Sequence, residues 1–202
     1  MRLMSQTVST TEQSIDAPFG FNRPSMLGVG TIVWLSSEVM FFSGLFAAFF
    51  TLRANSTGAW PPGGIKLDVL QSGIFTAILF SSSFTMQKAV YDAEHGSRHS
   101  AIRWIILTIL LGLSFVANQA IEWTHVAFAP STNSFGSLFF VMTGLHGLHV
   151  ILGLVAMVFV IGRMAGKTED PGATTVLQSL SYYWHFVDIV WVALYAVLFL
   201  VH

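Results

Sequence analysis

Apolar residues run along this chain in five long stretches, at about 28–52, 67–90, 103–125, 135–161 and 177–201, separated by short polar segments. The stretches are continuously apolar rather than alternating, which excludes a β-barrel. Each is long enough to cross a hydrocarbon core that needs about 20 helical residues. The pattern predicts an all-α fold, a polytopic membrane protein with five transmembrane helices over residues 26–202. Residues 1–25 are rich in Ser and Thr, lack the apolar core of a signal peptide, and read as a polar tail.

Proline supports these limits, because it interrupts the backbone hydrogen bonding that a lipid-exposed helix completes internally. Pro18, Pro24, Pro61, Pro62, Pro130 and Pro171 all fall outside the five stretches. The connections carry turn chemistry: WPPGG at 60–64, EHGS at 94–97 and APSTNS at 129–134.

Composition narrows the chemistry. The 202 residues are 53% hydrophobic and 9% charged, against about 25% charged in a typical soluble domain. With no cysteine, the chain has no disulfide, thiolate nucleophile, Cys-ligated metal or c-type haem attachment. A net charge of −1 leaves no footprint for nucleic acid. Basic residues are unequally divided. Arg2, Arg23, Lys88, Arg98, Arg103, Arg163 and Lys167 fall on one side of the membrane, and only Arg53 and Lys66 on the other. The expected topology has the N-terminus in the cytoplasm and the C-terminus outside.

Polar groups inside a span are costly, so each calls for a reason. At about 1.5 Å per residue, Glu38 and Asp188 both lie near the bilayer midplane. Glu38 shares a helical spacing with Trp34, Phe41 and Leu45. It reads either as a proton-exchanging or lipid-contacting carboxyl, or as a residue that holds helices together. His146 and His149, at i and i+3, could supply two metal or haem ligands, but a closed site needs partners from other spans. Hydrogen-bonded packing, with Thr143 and Gly147 as a small-xxx-small approach, is the competing role. Trp184, Asp188, Trp191 and Tyr195 form one stripe, with His185 one turn from Asp188; the His–Asp pair could relay protons or dock the last helix. Gln119 and Glu122 lie on one face with Phe115 and read as an interfacial hydrogen-bonding pair. Around the second loop, Glu94, His95, Arg98, His99 and Arg103 read as a solvated turn, with Arg98, His99 and Arg103 placed for anionic lipid headgroups. No phosphate loop, nucleophile elbow or zinc-protease motif occurs. A stand-alone transporter using the midplane carboxylates lacks the inverted repeats or broken helices that would favour it.

Four stretches, one per span and in order, resemble subunit III of the haem-copper terminal oxidases: WLSSEVMFF at 34–42, QAIEW at 119–123, FFVMTGLHGLHVILG at 139–153 and YWHFVDIVW at 183–191. The resemblance runs from about Asn22 to the C-terminus. It is to the short five-helix form, which lacks the first two helices of the seven-helix form. The Asn22-Arg23-Pro24 start, the 29–34 stretch and the Trp60-Pro61-Pro62 loop are most similar to the actinobacterial cytochrome c oxidase version. The five-helix subunit III of bacterial quinol oxidases is the alternative. The resemblance implies an accessory subunit of a proton-pumping oxidase in a bacterial cell membrane. Haem and copper would belong to subunits I and II, with no cofactor or metal in this chain and phospholipids bound in a cleft between its helices. It also implies a role in sustaining proton uptake and the lifetime of subunit I, and membership in a larger assembly with a cytochrome bc-type complex. Glu38 matches the family's buried, carbodiimide-reactive carboxylate.

Overall fold

A computed structural model describes residues 26–58, 60–62, 68–126, 128–166 and 171–200; the polar tail at 1–25 lies outside them. Five long helices follow in order: α1 Met26–Ala54, α2 Val69–Glu94, α3 Arg98–His125, α4 Ser134–Ala165 and α5 Pro171–Tyr195, the last continuing as a π-helix over Ala196–Leu200. All five are long and apolar enough to cross a membrane.

The helices outrun the apolar stretches, because helical hydrogen bonding continues into the interface after hydrophobicity ends. Thus α3 begins at Arg98, five residues before the predicted edge, and α4 continues to Ala165. Local chemistry sets the ends. The Asp68 carboxylate accepts from the Gln71 amide at 2.9 Å and the Asn133 side chain accepts from the Gly136 amide at 2.7 Å, capping α2 and α4. Pro171 opens α5 at the first helical position, where its missing N–H costs nothing. Between α2 and α3, Gly96 adopts φ 75°, a left-handed conformation that a side chain disfavours, and this permits the tight reversal.

Packing proceeds round a ring: α2 on α3, α3 on α4, α4 on α5 and α5 back on α2, with α1 laid against α4 and α5. The ring closes tightly where glycine permits it. A Cβ on Gly153 would come within 2.8 Å of the Trp184 ring, and one on Gly112 within 2.9 Å of Leu154 and 3.0 Å of Trp184. By contrast, α1 buries only a narrow seam of Gly28, Leu35, Phe42 and Phe49, spaced by seven. Trp34 and Phe41 are 47% and 45% exposed, and Phe42 rather than Phe41 is the ring beside the bundle. A one-residue shift turns a helix by about 100°, so spacing by 3.6 alone left two neighbouring stripes equally eligible. At the end of the bundle carrying the α3–α4 connection, Phe49, Trp60, Phe128, Phe135 and Phe139 meet edge-on or stacked, with centroids 5.5–6.3 Å apart.

Candidate functional site

Glu38 is the only acidic side chain within α1, and the packing of α1 on α4 brings its Oε2 to 3.3 Å from His149 Nε2. The imidazole is fixed from its other side: Nδ1 lies 2.7 Å from the Leu145 carbonyl oxygen. A carbonyl only accepts, so Nδ1 carries a hydrogen and donates it. The Nε2–Oε2 contact then requires one more proton, held either as a carboxylic acid donating to nitrogen or as an imidazolium donating to a carboxylate. Glu38 and His149 are thereby held as a carboxyl–imidazole pair between α1 and α4. Phe42 covers the imidazole edge-on at 5.4 Å, and Tyr183 donates to the His149 carbonyl at 2.8 Å while stacking on Trp34 at 5.4 Å. The pair is not sealed: the side chains of Glu38 and His149 are 21% and 12% exposed.

His146 does not join it. Its ring is buried against Phe115 and Trp191, with centroids at 5.9 and 4.8 Å, and neither ring nitrogen has a partner among the described residues. Expected hydrogen-bonded packing at His146 is thus replaced by aromatic packing. The two histidines face different neighbours, so they do not converge as a ligand pair. Among the described residues, no group of three or more His, Asp or Glu side chains could hold a metal ion. Of the expected close approach at Thr143 and Gly147, Thr143 is buried and accepts from Trp123 Nε1 of α3 at 3.3 Å, but Gly147 has no close neighbour. Nothing lies within 4 Å of a Cβ built on Gly147, whereas Gly153, further along the same helix, is tightly packed.

The polar groups of the predicted stripe on α5 all hydrogen-bond to α2. Trp184 donates to Ser82 Oγ at 2.8 Å, Trp191 to Thr76 Oγ1 at 2.9 Å, and Tyr195 to the Val69 carbonyl at 3.0 Å. Ser83 Oγ hydrogen-bonds both Asp188 Oδ2 and His185 Nδ1, the latter at 2.9 Å. His185 and Asp188 therefore meet through a serine of another helix rather than through each other. Asp188 Oδ1 has no partner among the described residues. Sequence reasoning missed Thr76, Ser82 and Ser83, although SSS at 81–83 within an apolar run was a legible signal of interhelical hydrogen bonding.

Gln119 and Glu122, expected to pair, diverge. Glu122 accepts from Ser72 of α2 at 3.1 Å, while buried Gln119 turns to the groove between α3 and α4. At the opposite end, Arg98 donates to the Gly166 carbonyl at 2.6 Å, closing α3 on the end of α4, whereas His99 and Arg103 remain exposed. Asp92, unremarked in the sequence, accepts from Lys88 and Ser100, both at 2.6 Å. Glu94 accepts from Gln178 at 2.6 Å. Beside the Glu38 pair, an apolar cleft of about 400 Å³ opens between α1, α4 and α5, lined by Trp34, Leu152, Phe159, Leu180 and Tyr183 among others.

Comparison with known proteins assigns this architecture. Residues 10–201 match the family model for cytochrome c oxidase subunit III. A "Probable cytochrome c oxidase subunit 3" of Mycobacterium leprae is 44% identical over 98% of this chain and all of its own length. The Corynebacterium diphtheriae "Cytochrome c oxidase subunit 3" is 44% identical over 89% of this chain and 90% of its own. That of Gallus gallus is 39% identical over 87% of this chain and 71% of its own. With its five membrane-length helices and a family match over most of its length, the chain belongs to the cytochrome c oxidase subunit III family of the haem-copper oxidases, which places it in a complex with other oxidase subunits.

Proposed function

We propose that this chain is the non-redox subunit III of an aa3-type, proton-pumping cytochrome c oxidase in a bacterial plasma membrane. In this reading it packs beside subunit I, with its N-terminus cytoplasmic and its C-terminus outside as the basic residues favour. Haem and copper reside in subunits I and II. The cleft between α1, α4 and α5 holds phospholipid, and exposed His99 and Arg103 serve headgroups on the cytoplasmic face. A larger assembly with a cytochrome bc-type complex belongs to the same reading.

The Glu38–His149 contact carries the proposal. In this reading it holds one exchangeable proton at midplane, partly open to the membrane. Such a pair can buffer or order the boundary with subunit I without taking part in oxygen chemistry. Glu38→Gln keeps the shape and removes the exchangeable proton. In the purified oxidase this substitution should leave haem content and initial turnover unchanged while shortening sustained turnover or slowing proton uptake. Complete loss of activity at the first turnover would overturn the accessory role.

A further inference from the structure

A second groove, distinct from the α1–α4–α5 cleft, runs between α3 and α4 with a volume of about 330 Å³, at the small end of ligand-sized cavities. Three features set it apart from ordinary helix surface. Its floor is open because small residues line it: Ala120 faces Gly144 and Gly147, and a Cβ on Gly147 would meet nothing within 4 Å. Its rim faces outward, with Leu148 and Ile151 50% and 44% exposed and Trp123 at 37%. Its lining includes Gln119, which is 6% exposed and whose Nε2 has no hydrogen-bond partner among the described residues.

Depth says what could satisfy that amide. Helix α3 has 28 residues, so it is about 42 Å long, against a hydrocarbon core of about 30 Å. When it is centred, about 6 Å projects at each end. Gln119 is six residues from the helix end at His125, so it lies only about 3 Å inside the hydrocarbon boundary. Lipid ester carbonyls, which accept and cannot donate, sit at that boundary. Trp123, one turn further out, lies at the level favoured by interfacial aromatics. From there to Ile151 the groove descends toward the bilayer centre along about half the membrane, the reach of one acyl chain. A docked helix would need a seam running the length of both α3 and α4, whereas this groove stops after two to three turns.

We propose that the α3–α4 groove is a binding site for one acyl chain of a glycerophospholipid from the leaflet on the α3–α4 turn side, with Gln119 Nε2 donating to its ester carbonyl. The site extends the lipid-binding reading to a second location but uses none of the residues of the α1 cleft, so the two readings fail separately.

The test uses the intact purified oxidase in nanodiscs of phosphatidylglycerol carrying a diazirine in one acyl chain, with labelled peptides located by mass spectrometry. Ester-linked probe should label α3 and α4 around Ala120 and Ile151. Gly147→Leu, whose Cβ has open space and whose side chain extends into the groove, should abolish that label and leave labelling of the α1 cleft near Leu152 and Leu180 unchanged. Gln119→Leu should lower groove labelling about fivefold, the worth of one neutral hydrogen bond. In the unsubstituted oxidase the dialkyl ether analogue, which has no carbonyl, should label as weakly as the ester probe labels Gln119→Leu. Equal labelling by ether and ester probes overturns the role of Gln119. Undiminished labelling in Gly147→Leu, or cross-linking of this stretch to another subunit in place of lipid, overturns the site. Loss of labelling at the α1 cleft alone counts against the earlier reading and leaves this one standing.

Discussion

Gly153 and Gly147 lie on the same helix, α4, and have opposite meanings. At Gly153 a methyl group would press into the rigid Trp184 ring at 2.8 Å and Tyr183 at 3.1 Å; at Gly147 it would meet open space. Gly153→Ala should therefore destabilise the chain by about 1–3 kcal/mol, as overpacking does, and Gly147→Ala should not. Thermal unfolding of the purified oxidase, followed through loss of this subunit, distinguishes them. Neither role was readable beforehand, because both glycines occupy the same kind of apolar helical context. The same holds for His146 and His149. Their spacing was plain, but one packs between Phe115 and Trp191 and the other meets Glu38, and three residues on a helix separate the two directions by about 60°.

Among the elements, α2 and α5 form the most polar contact in the bundle. Ser83 alone answers two titratable groups, His185 and Asp188. Ser83→Ala would remove that partner from half-buried His185 and leave buried Asp188 without it, at a cost of about 1–3 kcal/mol. It should lower the unfolding midpoint of the subunit more than Ser81→Ala, whose hydroxyl bonds only to the Ile78 carbonyl of its own helix. Equal effects of the two substitutions would show that the α5 stripe docks by shape alone. The stripe itself was legible as Trp184, Asp188, Trp191 and Tyr195, since a helix presents every third or fourth residue to one neighbour. Its recipient was not, because serines and threonines bonded within their own helices look the same in sequence as those that bridge helices.

For the whole molecule, the consequence is an uneven bundle. Helices α2 to α5 close a ring, while α1 buries only one residue in seven, adds the Glu38 and Trp34 contacts, and presents Val33, Met40 and Phe50 outward. Solubilised oxidase should therefore exchange α1 amides faster than those of α4 and α5 wherever another subunit does not cover α1, which hydrogen–deuterium exchange by peptide reads directly. Purification from native membranes should bring haem-bearing chains with this one; isolation alone would restore the transporter reading. The number of helices, their approximate limits and the set of polar groups inside them were determined by the sequence alone. Lipid forces every spanning segment to satisfy its backbone internally over about 20 apolar residues, and that demand is local. Which of those polar groups meet, and through what, was decided only by the tertiary structure. The rotation of each helix about its axis follows from packing against its neighbours, so the Glu38–His149 contact, the Ser83 bridge and the open groove beside Gln119 exist only once all five helices are in place.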